Sequence, residues 1–248
     1  MEKMKICVPV TGSDPEEMKE QAAKVRDLPC DIIEIRGDFM TPEHYMDMEV
    51  LKEMIAAVRE IAGKPVIYTL RTVREGGWAA RPGGRDYIEY IRNVAEETDA
   101  EYIDIEAFGG DDYYEPETIQ LLCGIVNQCG KRAILSSHDF DGTPPVEDMV
   151  MKFCVMDNMG GDILKLAVTA HSKEDTYALL EAARVFHENY SEAPLIAIAM
   201  GEEGVESRIC GGDFGSVMTF ASGVAATAPG QMPAGELRRA IDKYYGEK

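Results

Sequence analysis

Lys165 stands in Asp162-Ile-Leu-Lys-Leu-Ala-Val168, an ammonium with apolar neighbours on both sides. If that run is a strand, the side chain faces the interior of a sheet, where lost solvation lowers an amine's pKa. A partly neutral amine can attack a carbonyl and form a Schiff base. The same placement also fits a structural lysine whose stem crosses the sheet and whose charge meets a carboxylate such as Glu106. His138 ends Arg132-Ala-Ile-Leu-Ser-Ser-His138 and opens a loop, one strand away from Lys165. Imidazole titrates near neutrality, and a positioned general acid/base contributes roughly 10²–10⁴ in rate; a histidine that only satisfies loop backbone is the alternative. His171 and His187 fall in an adjoining loop and a helical stretch and are expected to be structural.

Further ionisable residues close other apolar runs. Glu34 and Arg36 lie two apart, as do Thr69 and Arg71, and Asp104 and Glu106, so on strands each pair shares a face. Such pairs make either a fixed polar network at a site or buried ion pairs that only order the fold. Arg36, Arg71 and Arg208 belong to separate strand-end segments of a chain with 45 acidic and 25 basic residues. Because charges are screened over roughly 8 Å at physiological salt, a few inward arginines can form a local anion pocket inside a negative shell. The expected ligand is a small anion. Gly211-Gly212 and Gly215 are a weak phosphate signal without a following helix N-terminus and lysine, and a phosphorylated substrate is not expected.

These residues need elements to bring them together. Strand-like runs over 5–10, 31–36, 65–71, 102–106, 132–137, 162–168, 194–199 and 214–220 alternate with helix starts at Ser13-Asp-Pro-Glu, Thr41-Pro-Glu, Arg85-Asp-Tyr, Glu115-Pro-Glu, Pro144-Pro-Val-Glu, Ser172-Lys-Glu-Asp, Gly201-Glu-Glu and Ala234-Gly-Glu. Eight βα units in 248 residues predict an α/β protein, a (β/α)8 TIM barrel forming a single domain over 1–248, with the ionisable residues converging on the carboxyl-terminal rim. An open doubly wound sheet fits less well: no G-x-G-x-x-G follows the first strand, and the site residues come from many strands. Two glycine-rich irregular stretches, 72–84 and 222–235, follow strand ends and could cover a site.

Composition excludes several classes. A formal net charge of −20 repels nucleic acid and anionic lipid. The N-terminal apolar run is short and broken by Pro9, which fits neither a signal peptide nor a membrane span and points to a cytoplasmic protein. Six cysteines with no C-x-x-C pair read as reduced core residues, and no histidine spacing resembles a metal site.

Taken in order, Glu34-Ile-Arg-Gly-Asp38, Thr69-Leu-Arg-Thr-Val-Arg-Glu-Gly-Gly77, Asp104-Ile-Glu106, Ser136-Ser-His-Asp-Phe-Asp-Gly-Thr-Pro144, Gly161-Asp-Ile-Leu-Lys165, Met200-Gly-Glu-Glu-Gly-Val-Glu-Ser-Arg208, Phe214-Gly-Ser216 and Ala228-Pro-Gly-Gln231 resemble the type I 3-dehydroquinate dehydratases. Singly each match is weak; their order and spacing together are specific. The resemblance implies a barrel enzyme, a homodimer, that converts 3-dehydroquinate to 3-dehydroshikimate with neither metal nor organic cofactor. It implies that Lys165 is the Schiff-base lysine, His138 the proton-transfer group and Glu75 the acid beside it. It assigns Arg208 and Gln231 to the substrate carboxylate and nearby oxygens, and Glu34, Arg36 and Arg71 to ring hydroxyls. Thr227 stands where many members have serine, which keeps a hydroxyl in the closing loop and adds a methyl. Gly37 is a second departure, expected only to loosen a strand end. The family's hairpin across the barrel bottom is not expected here, and large side chains are the expected plug. Two other readings stay open: a Schiff-base aldolase or transaldolase, and a non-catalytic relative that binds a cyclic hydroxy acid.

Overall fold

The structure is a computed structural model that describes residues 4–79, 84–108 and 115–246; positions 80–83 of the first glycine-rich stretch lie outside the described residues. Its strands are β1 (Lys5–Val10), β2 (Ile32–Arg36), β3 (Val66–Thr69), β4 (Tyr102–Glu106), β5 (Arg132–Asp139), β6 (Ile163–Thr169), β7 (Leu195–Met200) and β8 (Met218–Phe220). Its helices are α1 (Pro15–Val25), α2 (Pro42–Tyr45), α3 (Met48–Ala62), α4 (Gly84–Glu97), α5 (Pro116–Gln128), α6 (Val146–Asn158), α7 (Lys173–Asn189), α8 (Val205–Cys210) and α9 (Ala234–Gly246). All strand pairs are parallel in the order β7-β6-β5-β4-β3-β2-β1-β8. The ring closes where Val217 N donates to Leu195 O (2.8 Å) and Leu195 N donates to Gly215 O (3.2 Å). The expected (β/α)8 barrel is the observed fold.

Period-two alternation divides each strand between two environments. Outward residues such as Ile33, Ile35, Ile103, Ile105, Leu135, Leu164 and Leu166 join the layer packed under the helices. Inward residues Cys7, Ile32, Ile67, Ile134, Ile163, Ile196 and Met218 fill the lower half of the barrel. One inward step further along, Ile32 gives way to Glu34, Ile67 to Thr69, Ile134 to Ser136 and Ile163 to Lys165, all buried. The carboxyl-terminal half of the interior is therefore polar. Short-range signals hold the helices in place: Asp14 caps α1 through Glu16 N and Glu17 N, and Ser172 with Asp175 forms a capping box at α7.

Several expectations need correction. The start at Thr41 yields only the single turn of α2, because Asp47 accepts from Glu49 N and Val50 N and opens α3 as a separate helix. The last strand begins at Met218, since Gly211–Phe214 wind into a 3-10 turn. β5 runs past His138 to Asp139, held by its register against Ala167 and Val168. Gly37 does not loosen β2: a Cβ there would lie 2.2 Å from the Tyr68 hydroxyl, so the absent side chain lets β2 and β3 pack closely. At the barrel bottom Tyr102, Ile163 and Met218 do reach in, yet with Lys5 and Arg132 they line an open cavity of about 460 Å³. Large side chains narrow that end without sealing it.

Candidate active site

Lys165 projects from β6 into the polar half of the barrel, its side chain 7% exposed. Its Nζ lies 3.2 Å from Asp104 Oδ2 on β4, 3.8 Å from Glu34 Oε1 on β2 and 4.6 Å from the centroid of the Phe220 ring on β8. Each neighbour suits an ammonium. The carboxylate that meets it is Asp104 and not Glu106. At the end of β4 Glu106 turns to Thr72 instead, accepting from its backbone N and its Oγ1, both at 2.8 Å.

Arg71 organises the carboxylates. It donates to Asp104 (2.7 Å), Glu75 (3.2 Å), Glu106 (3.3 Å) and Ser136 Oγ (3.0 Å). Burial opposes the guanidinium's charge, but Asp104, Glu106, Glu75 and Glu34 more than offset it, and its pKa is raised. The acids share this cation unequally. Burial raises the Asp104 pKa, yet Arg71, Lys165 and the Ser136 hydroxyl bring it below the ordinary value. Glu75, with Glu106 and Asp104 nearby, is pushed up to about 8, chiefly by burial and against the pull of Arg71. One carboxyl is thus a fixed anion and the other keeps a proton near neutrality, a division set by surroundings.

Glu75 Oε2 lies 2.8 Å from His138 Nδ1, a hydrogen bond that orients the ring and leaves Nε2 as its other nitrogen. Burial first, then Arg71, Lys165 and Arg36, push the imidazole well below its usual pKa. Glu75 reaches this position from a 3-10 turn, Val73–Glu75, that ends at Gly76 with φ 78°. A Cβ on Gly76 would meet the Phe140 ring at 2.3 Å, and Phe140 in turn stacks on His138 with rings 6.4 Å apart. Glycine at that turn is therefore required both by φ and by contact.

The three arginines expected to form an anion pocket all line one cavity, but two of them are paired with acids. Arg36 donates twice to Asp38 at 2.8 Å, and Arg71 is surrounded by acids. Arg208, on α8, is 1% exposed and donates only to the carbonyls of Phe220 (3.2 Å) and Pro229 (3.0 Å); its Nε has no partner among the described residues. Burial alone brings it down to about 10, so it stays a cation at neutral pH. Among the described residues no carboxylate pairs with it, and a buried cation with a spare donor fits a ligand carboxylate. Thr227 and Gln231 come from the 222–235 stretch and are bonded to one another, Thr227 N donating to Gln231 Oε1 at 2.8 Å.

All of Glu34, Arg36, Arg71, Glu75, His138, Lys165, Arg208, Thr227 and Gln231 line a single pocket with a cavity volume of about 80 Å³. His171 and His187 stand apart, bonded to the Asp141 and Ala193 carbonyls. The sequence does not single out Asp38, Ser136 or Phe220, and it marks Asp104 only as a companion of Glu106. Strand alternation was the available signal, since Asp104 falls on the Glu106 face and Ser136 on the His138 face.

The model of the type I 3-dehydroquinase family matches residues 6–248. The chain belongs to that family. It is a carbon–oxygen lyase, a hydro-lyase of the type I 3-dehydroquinate dehydratase kind. It is 35% identical over 238 residues to 3-dehydroquinate dehydratase of Alkaliphilus oremlandii, covering 96% of this chain and 90% of that protein. With the enzyme of Bacillus licheniformis it shares 35% identity over 241 residues, 96% of this chain and 91% of the other. The crystal structure of 3-dehydroquinate dehydratase from Geobacillus kaustophilus superposes with a TM-score of 0.91 at 30% identity, covering 99% of this chain and 92% of that one. The type I enzyme of Clostridium difficile, determined with covalently modified comenic acid, gives a TM-score of 0.89 at 31% identity, covering 99% and 94%.

Proposed function

We propose that this chain dehydrates 3-dehydroquinate to 3-dehydroshikimate through a Schiff base on Lys165, with His138 as general acid and base. The observation that carries the reading is a buried amine opening on the same pocket as a hydrogen-bonded His138–Glu75 pair and a buried arginine with a spare donor. The Lys165 nitrogen adds to the substrate ketone and water leaves, giving an iminium that draws electrons from the neighbouring carbon–hydrogen bond. His138 takes that proton, leaving an enamine, and then returns a proton to the departing hydroxyl. Because one imidazole serves both steps, proton and hydroxyl leave from the same face of the ring, a syn elimination. Water then hydrolyses the product imine and frees the amine.

Glu75 holds the imidazole through Nδ1, and Arg208 pairs with the substrate carboxylate and fixes the ring. Glu34, Arg36 and Arg71 face the ring hydroxyls, directly or through the network they hold, while Thr227 and Gln231 bring the 222–235 stretch over the ligand. The covalently modified acid in the Clostridium difficile relative is in keeping with a nucleophile at such a site. No metal or organic cofactor takes part in this scheme. We place the activity in the shikimate pathway of aromatic amino acid biosynthesis, in the cytoplasm, with the whole chain acting as one catalytic domain of a homodimer. Among the described residues no helix is long and apolar enough to cross a membrane.

Ultraviolet absorbance after adding dehydroquinate tests the reaction: a growing enone band is expected, whereas release of two carbonyl fragments would favour an aldolase. Borohydride added with the substrate tests the intermediate. The peptide containing Lys165 should gain the ligand's mass irreversibly, and an unlabelled Lys165 during turnover would remove the covalent mechanism.

A further inference from the structure

We propose that Asp104 is the positioning residue for Lys165: its carboxylate holds the amine against the pocket wall and sets the pH at which that amine is released to attack. The inference rests on the Schiff-base reading above. Its geometry is specific. Asp104 Oδ1 accepts from Arg71 (2.7 Å) and from Ser136 Oγ (2.7 Å), and these two donors fix the carboxyl plane so that Oδ2 faces Nζ at 3.2 Å. Glu34 is a weaker partner for the amine. Its Oε1 stands 3.8 Å away and already accepts from Thr69 at 2.9 Å. Among the described residues Asp104 is thus the sole hydrogen-bond acceptor of Nζ, and it is 2% exposed.

The other charged or titratable groups facing the amine come from every side of the barrel: Cys7 on β1, Glu34 on β2, Arg71 and Glu75 beyond β3, and His138 on β5. Among the described residues only the Glu34 and Asp104 carboxyl groups come within 4 Å of it. The chemistry gives this contact a cycle. The lysine ammonium and a ketone yield an iminium and water, so the nitrogen is positive before and after the step and neutral only in between. A carboxylate 3.2 Å away favours both end states and opposes early loss of the proton.

The test is the pH profile of borohydride trapping in the Asp104→Asn variant, which keeps the shape and removes the charge. A contact of this kind shifts a titration by roughly one to three units. The acid limb of Lys165 labelling should therefore move to lower pH by at least about one unit, while the best trapping rate falls about tenfold as the amine loses its anchor. A limb that stays in place would overturn the proposal. Should that variant fail to fold, Ser136→Ala loosens the carboxylate without removing its charge. Trapping should then slow severalfold with the limb unmoved, and an unchanged rate would equally overturn the inference. If wild type itself is not labelled at Lys165, the parent reading fails. If wild type is labelled and the variants behave like it, only the role of Asp104 falls.

Discussion

The two halves of the barrel interior are built from the same strands and have opposite characters. In the lower half Ile32, Ile67, Ile134, Ile163 and Ile196 meet in an apolar plug. Two residues further along four of these strands, Glu34, Thr69, Ser136 and Lys165 join Asp104 of β4 in a buried polar network around Arg71. The lower layer gains stability from burial, about 25 cal/mol per Å² of apolar surface removed from water. The upper layer gains little: buried charges give back in desolvation much of what pairing returns, and such networks are weak evidence for stability. An interior that places charges there only one residue pair above a ready apolar plug is organised for chemistry. The ligand-facing end of the barrel is where strand ends and loops from all around the ring can contribute at once.

The sharpest way to break this contrast is to remove the amine. Lys165→Ala should lower turnover by at least roughly 10⁴-fold in the enone assay, the scale expected for loss of a nucleophile. His138→Ala should cost roughly 10²–10⁴ in rate and still permit borohydride labelling of Lys165; near-normal turnover would strip the histidine of its assigned role. The opposite behaviour is expected below. Ile134→Ala, at a position 1% exposed, should destabilise by roughly 2–5 kcal/mol in urea unfolding, with kcat of the folded fraction nearly unchanged. A large fall in kcat there would mean that the lower layer is more than support.

Smaller effects sharpen the picture within the upper layer. Arg208→Lys loses the fork that addresses a carboxylate, and KM should rise about ten- to a hundredfold, in line with charge-assisted bonds of roughly 1.5–3 kcal/mol, with a lesser change in kcat. Glu75 gives a test of pH. Its pKa is raised from 4.5 to about 8 in the fold, so the folded state holds a proton that the unfolded state releases. The stability this confers is complete below about pH 4.5 and is lost as pH rises through about 8. Glu75→Gln mimics the protonated form throughout. The stability of wild type relative to the variant should therefore decline between pH 5 and 8 in paired unfolding curves, and a parallel pair of curves would contradict the shift.

Much of the fold and of the pocket was legible in the chain because its signals are local. Alternation along Tyr102-Ile-Asp-Ile-Glu106 and Asp162-Ile-Leu-Lys-Leu shows which side chains share the interior, and proline and acidic residues mark where most helices begin. Helix starts went astray where a second cap intervened, as at Asp47, and strand ends where neighbours prolonged them, as at Asp139. Of the nine expected pocket residues, Glu34, Arg36, Arg71, His138 and Lys165 lie within strands or just beyond them, where alternation marks them, whereas Glu75, Thr227 and Gln231 are marked only by the family resemblance.

The sequence by itself determined the eight βα units, the inward faces of their strands and the level at which charge replaces isoleucine. Only the tertiary structure decided the pairing: that Lys165 meets Asp104, 61 residues away, while Glu106 turns to Thr72, and that Arg208 keeps a fully buried Nε without a partner among the described residues. The physical reason is range. Which face a side chain occupies follows from its own strand, whereas which charge it touches depends on the stagger between strands far apart in sequence, and at these separations an ångström decides between a hydrogen bond and a contact too long to be one.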